Sequence, residues 1–317
     1  MKNKGQVVII SLWMLVILSV LAISLGHRVS MALKLNQYRV NKLKALYLAK
    51  AGVNRAIIEI AADKTPDFDA LTDNWANNST AFQKIFLNAN LNEFAVVSYD
   101  TNQDNNTTTI FGIIDEQRKI NINSANEFLL LALLEKYKVE NPEDVTTNIL
   151  IWRGEKEDAR EVYKQAGYPA KKDKFSNIEE LQLIPGITAA DYQNLKISAT
   201  VSGDGSLNIN TVPQETLSIV TDAISKELSL AKNSAESVTS KIMELRKVKG
   251  HFTSKEDINI ELTGEEETNI FNNLLEKITF QSSDFLIEVT GNASKIKSKI
   301  TAVYNRTGEQ LTNWHED

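Results

Sequence analysis

The stretch GQVVIISLWMLVILSVLAISLG, residues 5–26, decides the fold. From Val7 onward it carries no charged side chain, and only three serines interrupt the apolar residues. A helix needs about 20 apolar residues to span a bilayer, whereas a secretory signal has a shorter apolar core closed by an Ala-x-Ala-like site. The sequence therefore predicts a membrane-spanning helix over residues 6–26. The short leader that contains Lys2 and Lys4 is expected to stay in the cytoplasm.

The apolar pattern continues beyond the predicted span. The apolar residues that recur at helical spacing are Leu43, Leu46, Ala49, Val53, Ala56, Ile57 and Ile60, with lysine and arginine between them. No proline occurs before Pro66. We therefore predict one helix from about Gln6 to Ala62, roughly 85 Å long at 1.5 Å per residue, whose second half offers an apolar stripe to a soluble domain.

Composition excludes several classes of function. The 317 residues include no cysteine, so disulfides, thiolate metal sites and cysteine nucleophiles are impossible. The net charge of −6 argues against broad attraction to phosphate backbones. The histidines at positions 27, 251 and 315 form no HExxH motif, and no GxxxxGK loop occurs. We therefore expect that the protein is not an enzyme.

Strand patterns flank a long helical middle region. FAVVSY (94–99) and TTTIFGIID (107–115) read as strands around the polar hairpin tip DTNQDNN (100–106). From Phe285, FLIEVTGNASKIKSKITAVYNR reads as two strands joined by a Gly-Asn turn. Between them, KININSANEFLLLALL from 119 is echoed by SLNINTVPQETLSIV from 206, each with a helix start. The middle region thus contains an internal repeat.

A short basic leader that ends in glycine, followed directly by a long apolar helix, resembles the signal of type IV pilins and pseudopilins. The resemblance implies that prepilin peptidase cleaves between Gly5 and Gln6; the alternative is an uncleaved signal anchor. Most pilins carry glutamate at the fifth mature position, which here is Ile10. A subunit with nothing ahead of it gains nothing from that acid, so Ile10 fits a tip subunit, although an ordinary membrane helix lacks the acid too.

Over essentially the full chain, the sequence resembles the minor pseudopilin K family of type II secretion. The resemblance rests on Ile10, YLAKAG (47–52), KININSAN, FSNIEELQLIPGIT (175–188), LNINT and the terminal hairpin. It implies an α+β fold: a pilin-like long amino-terminal helix packed on an antiparallel sheet, with a large inserted all-α domain. The expected units are a cleaved leader (1–5), a transmembrane part (6–26), a periplasmic helix with first strands (27–118), the helical insertion (119–280) and closing strands (281–317).

The same resemblance implies the function and the partners. The protein is expected to sit in the inner membrane of a diderm bacterium as a single-pass protein, with its carboxy-terminal domain in the periplasm. It would cap a short pseudopilus with minor pseudopilins I and J and other pseudopilins, and so support export of folded proteins. Two alternatives stay open at this point: a membrane-anchored DNA receptor for DNA uptake, and a minor pilin of a type IV pilus.

The alternative of a DNA receptor rests on the turn at Pro185 and Gly186. LQLIPGIT matches a helix-hairpin-helix, whose turn can present backbone N–H groups to phosphate. Residues 119–280, however, hold 19 basic and 26 acidic side chains, whereas nucleic-acid binders collect positive charge. We therefore interpret the turn as a connection between packed helices and expect no nucleic-acid partner.

Calcium is the one candidate cofactor, because the family is associated with it. The alternating residues Asp100, Asn102, Asp104 and Asn106 resemble the start of a calcium loop. An EF-hand is excluded, because position six is Asn105 and position twelve is Phe111. A second oxygen-rich candidate set is Asp115, Glu116, Asn121 and Asn123.

Overall fold

The computed structural model describes residues 4–87, 91–103, 106–159 and 161–317. The helices are α1 (Lys4–Ala61), α2 (Ser79–Phe82), α3 (Glu127–Lys136), α4 (Pro142–Trp152), α5 (Val162–Ala166), α6 (Ala189–Ser198), α7 (Gln214–Glu227), α8 (Lys232–Lys249) and α9 (Glu265–Lys277). The strands are β1 (Ile85–Phe86), β2 (Glu93–Val97), β3 (Tyr99–Gln103), β4 (Asn106–Ile110), β5 (Ile114–Asp115), β6 (Ile120–Asn121), β7 (Ala199–Thr200), β8 (Leu207–Asn208), β9 (Ile278–Thr279), β10 (Asp284–Ala293), β11 (Ile296–Asn305) and β12 (Gln310–Glu316). Short 3₁₀ turns lie at Glu116–Arg118, Ile178–Leu183 and Lys255–Asp257.

Helix α1 runs unbroken for 58 residues, as the sequence predicted. Nothing breaks it, because no proline occurs before Pro66 and Gly26 is tolerated inside an otherwise strong apolar pattern. Its apolar amino-terminal part is exposed, and it is long and apolar enough to cross a membrane. Its last turns, from Ala45 to Ile60, bury one stripe against the sheet. The two halves of the helix therefore face different surroundings.

The main sheet is antiparallel, with strand order β1-β2-β10-β11-β12, and β5 pairs with β10 beside β2. The long hairpin β10–β11 pairs Asp284 with Asn305 at one end and Ala293 with Ile296 at the other. Helix α1 packs across β2, β10 and β11. We call the buried apolar cluster between them the sheet core; its largest fully buried members are Trp75, Phe82, Phe285, Ile60 and Ile113. The predicted α+β class is confirmed.

The prediction of a Gly-Asn turn in the last hairpin is wrong. Gly291 and Asn292 lie inside strand β10, and the chain reverses at Ser294, which has φ of +59°. The reason for glycine is close packing. A Cβ atom on Gly291 would lie 1.9 Å from the carbonyl oxygen of Ala45 and 2.7 Å from the amide nitrogen of Ala49. The glycine thus marks where the α1 backbone touches the sheet.

The first predicted hairpin also differs in detail. TTTIFGIID is not one strand: β4 ends at Ile110, and β5 begins at Ile114 after a break. The residues predicted as a loose tip are largely strand, because β3 and β4 form a separate two-stranded ribbon that pairs Asp100 with Thr109 and Asn102 with Thr107. Asp104 and Asn105 lie outside the described residues.

From β6 to β9 the chain is mainly helical and builds its own hydrophobic core. We call this cluster the helical core; its largest fully buried members are Tyr163, Phe252, Ile120, Ile122, Leu130, Leu134 and Ile149. The first half of this region runs from β6 to β7 and the second from β8 to β9, and in each half these two strands pair in parallel. Each half thus begins and ends at neighbouring strands.

Candidate functional site

The amino-terminal half of α1 is an unpartnered apolar surface. Ile10 is 62% exposed, and a side chain at Gly5 would meet no atom within 4 Å. Gly5 and Gln6 lie within the helix, and residues 1–3 are outside the described residues. Beyond the apolar run, the exposed apolar side chains of α1 include Val29, Met31, Leu33, Leu35, Tyr38, Val40, Leu43 and Tyr47. Such a surface is typical of a lipid-embedded or partner-covered helix.

The structure describes only part of the predicted hairpin site. Asp100 is exposed, and its Oδ1 accepts a hydrogen bond from Thr109 Oγ1 at 2.7 Å, across the ribbon. Asp104 and the side chains of Asn102 and Asn106 lie outside the described part of the structure. A calcium site on this ribbon therefore stays a prediction.

Asp115 lies at the junction of the sheet core and the helical core. It is 1% exposed, and its Oδ2 accepts hydrogen bonds from Ser282 Oγ at 2.7 Å and Asn208 Nδ2 at 3.0 Å, and from Thr211 Oγ1. Its Oδ1 accepts from the backbone N–H of Gln117 at 2.8 Å. Burial raises the pKa of Asp115 to about 6, although these hydrogen bonds act in the opposite direction. The carboxyl joins segments of both cores.

The other members of this second candidate set serve the helical region. The Glu116 carboxylate accepts from Lys119 Nζ at 2.5 Å and from the Thr200 hydroxyl. Asn121 Nδ2 donates to the backbone carbonyls of Ser202 and Gly203. The set is close in sequence, but the side chains are engaged in separate bonds.

Sequence reasoning missed a tighter group of carboxylates in the loop after α1. Asp63, Asp69 and Asp73 each offer an oxygen, and these oxygens lie within 4.8 Å of one another. Arg306 binds Asp69 in a bidentate pair, with distances of 3.0 and 2.6 Å. Oδ2 of Asp63 is buried and has no hydrogen-bond partner. The only sequence signal was the stretch DKTPDFDALTD (63–73), whose four aspartates include these three, at a spacing without a known loop pattern.

The electrostatics of this group suit a divalent cation. Three carboxylates beside one guanidinium leave two uncompensated negative charges when all are ionised. Burial raises the pKa of Asp69 against the opposing bond from Arg306, and burial together with the charges of Asp63 and Asp69 raises that of Asp73. Oxygen-only ligands at this spacing are what calcium and magnesium prefer. The arrangement can therefore hold a hard cation.

The predicted internal repeat is visible in the hydrogen bonds. Asn123 exchanges two hydrogen bonds with the backbone of Phe175, and Asn210 makes the same pair with Phe252. Arg153 Nη1 donates to the carbonyls of residues 122 and 125, and Arg246 Nη1 donates to those of residues 209 and 212. The repeated Asn-Ile-Asn motif thus marks two copies of one structural unit.

The turn at Pro185 and Gly186 is packed against helix α4. The Pro185 carbonyl accepts from Asn148 Nδ2 at 2.9 Å, and a Cβ on Gly186 would lie 2.6 Å from Cγ2 of Val145. The two N–H groups that follow are also occupied: that of Ile187 donates to the carbonyl of residue 184, and that of residue 188 to the side chain of residue 191. These bonds favour the interpretation of the turn as a packed connection.

Comparison with known proteins identifies the fold. No protein-family profile matches the chain, and no curated protein sequence does. A chain in the crystal structure of the GspK-GspI-GspJ complex of the type 2 secretion system of enterotoxigenic Escherichia coli matches with a TM-score of 0.63. The match covers 90% of this chain and 99% of that chain at 13% sequence identity. The chain therefore has the fold of a GspK-like minor pseudopilin, with a long helix, an antiparallel sheet and a helical region between strands of that sheet.

Proposed function

We propose that the protein is a minor pseudopilin at the tip of a type II secretion pseudopilus, where it helps to start assembly and so supports export of folded periplasmic proteins. Its partners are minor pseudopilins I and J and other pseudopilins. The role is structural rather than enzymatic. The observation that carries the proposal is the fold match, which extends over nearly the whole of both chains.

Two features of the described chain favour a position at the tip. Ile10 places an apolar side chain where pilins that stack behind another subunit carry an acid, and an ionised acid at mid-bilayer costs about 2.5–3.5 kcal/mol unless it is paired. The helical region between β5 and β10 adds bulk to the pilin-like sheet. That bulk would obstruct helical stacking in a shaft, whereas a tip leaves free space.

Recovery of a defined complex tests the proposal. The full chain, co-expressed with minor pseudopilins I and J in membranes, is expected to be purified with both. Tyr47→Asp on α1 should reduce the recovery at least severalfold, because Tyr47 is 65% exposed on the helix that meets neighbours. Val248→Asp is the matched control, since Val248 is 80% exposed but lies on α8. Recovery of the chain alone from all samples would contradict the proposal.

Processing gives a second expected result. Prepilin peptidase should cleave between Gly5 and Gln6, because the leader is short and basic and the retained helix is the anchor. The intact mass of the protein from cells with the peptidase should lack residues 1–5, and cells without the peptidase provide the control. A full-length mass in both samples would show an uncleaved anchor instead.

Calcium binding belongs to the same proposal, and Asp63, Asp69 and Asp73 would hold the ion. The buried and unpartnered Oδ2 of Asp63 is the observation that supports this placement. Calcium at 100 times its Kd should stabilise the folded chain by about 2.7 kcal/mol, measured as a rise in Tm. Asp63→Asn should abolish the rise, whereas Asp100→Asn should retain it. The opposite pattern would place the ion on the β3–β4 ribbon, and no rise in the wild type would refute the site.

A further inference from the structure

The charge of the chain is divided unevenly between its membrane-proximal end and the rest. Residues 1–58 contain nine lysines and arginines and no aspartate or glutamate, although the whole chain has a net charge of −6. The first acidic residue is Glu59. We call residues 27–44 of α1 the basic stem. It joins the apolar run to the folded domain.

The cations of the basic stem are exposed and mostly unpaired. Arg28, Lys34, Arg39 and Lys42 make no ion pair or side-chain hydrogen bond within the described part of the chain. Lys44 alone of the stem cations is paired there, with Glu93 at 2.7 Å. Internal structure therefore does not explain why these charges are present.

A further cation lies at the same end of the folded domain. Gly52 of α1 lies beside Val289, and Ala45 lies beside Gly291, so strand β10 runs toward the amino-terminal end of α1. The β10–β11 turn consequently faces the stem, and it carries the exposed Lys295. The domain thus presents positive charge toward the end of the helix that enters the membrane.

Geometry distinguishes a lipid surface from a single protein partner. At 1.5 Å per residue, Arg28 lies about 3 Å and Lys34 about 12 Å beyond Gly26, and helical side chains tilt back toward the amino terminus, here toward the bilayer. At 100° per residue, Arg28 and Lys34 project about 120° apart around the helix. One docked protein would cover one face, whereas a layer of lipid headgroups surrounds the helix on all sides.

We propose that Arg28 and Lys34 of the basic stem bind the headgroups of anionic phospholipids in the leaflet next to the folded domain. The inference rests on the proposed membrane-spanning role of α1. It also gives a role to the lysines and arginines that follow the span, on the side opposite the leader. Each cation near an anionic surface adds attraction, and the more distant Arg39, Lys42 and Lys295 add a weaker contribution that salt screens.

Quenching of Trp13 fluorescence by brominated lipids tests the proposal. The full chain is reconstituted in vesicles with either brominated phosphatidylglycerol or brominated phosphatidylcholine, and the signal of a Trp13→Phe variant is subtracted. We expect phosphatidylglycerol to associate about threefold more strongly, which corresponds to about 0.65 kcal/mol in total. Arg28→Gln with Lys34→Gln should bring the ratio close to one, as should high salt. Lys174→Gln with Lys247→Gln, two exposed cations of the helical region, should leave it unchanged.

Each other outcome overturns the proposal in a recognisable way. Equal association of both lipids with the wild type refutes it. In protein made without the peptidase, which keeps residues 1–5, loss of the preference only in Lys2→Gln with Lys4→Gln assigns it to the opposite leaflet. If the wild type shows no lipid preference but the stem variant loses minor pseudopilins I and J, the stem binds protein instead. Failure of brominated phosphatidylcholine to quench Trp13 would show that α1 is not inserted, which is a failure of the proposed anchor rather than of the headgroup site.

Discussion

Gly291→Ala is expected to lower the free energy of unfolding of the pilin-like domain by about 3–5 kcal/mol, at the upper end of single substitutions. The added Cβ would lie 1.9 Å from the carbonyl oxygen of Ala45. The backbone of a long helix cannot move locally to relieve this overlap, as a flexible side chain can. Helix α1 must therefore move away from β10, or the sheet must bend. Urea denaturation followed by Trp75 fluorescence measures the effect, because Trp75 packs on Phe285 in the sheet core.

Gly264→Ala is the matched control for this substitution. Gly264 has an extended backbone with φ of −177°, and a Cβ there would meet no atom within 4 Å. Its replacement should cost no more than about 1 kcal/mol, because Gly264 is the N-cap of α9 and alanine is a poorer cap than glycine. If Gly291→Ala behaved like Gly264→Ala, the close approach of α1 to β10 would be wrong. The structural basis of the proposed assembly role would also be wrong, since the contact of α1 with β10 sets the direction in which the helix extends from the domain.

Substitution of Asp115 is expected to have the second largest effect. Asp115→Ala would leave the hydroxyls of Ser282 and Thr211 and the amide of Asn208 without their shared acceptor, inside a site that water does not reach. Unmet buried donors cost about 1–3 kcal/mol each, so we expect a total loss of about 3–5 kcal/mol. Asp115→Asn should cost less, because an amide oxygen still accepts and the hydroxyls can rotate.

The pH dependence of stability gives an independent measure of the same carboxyl. Its pKa is raised to about 6 in the folded chain, above the ordinary 3.8, because of burial. The folded state therefore binds the proton more tightly than the unfolded state does. The favourable contribution of the protonated form is complete below about pH 4 and is lost as the pH rises through 6.

Comparison of the wild type with Asp115→Asn isolates this contribution. The wild type should lose up to about 3 kcal/mol between pH 4 and pH 7 through this group. The variant should lack that part of the slope, while the other titrating carboxyls act alike in both proteins. Parallel stability curves for the two proteins would show that Asp115 titrates near its ordinary range and is less isolated from water than its burial indicates.

The internal repeat shows how far local sequence signals reach. Asn-Ile-Asn occurs in both copies, and the structure explains the second asparagine of each: Asn123 and Asn210 hold the backbone of Phe175 and Phe252. The repeat could be recognised in the sequence because both copies use the same residues for the same short-range geometry. The backbone partners of the two asparagines lie 52 and 42 residues away along the chain. They could not be predicted from the sequence, because no local signal specifies which distant carbonyl will contact a side-chain amide.

The long helix, the helical middle region and the absence of cysteine chemistry were predictable from periodicity, length and composition, which act over one element at a time. The α+β class was predicted from the resemblance to a known family. The packed chain was needed to show that Gly291 marks a contact rather than a turn, and that Asp63, Asp69 and Asp73 come together. Both depend on which backbones approach in space, and that is a property of the packed chain rather than of any segment of it.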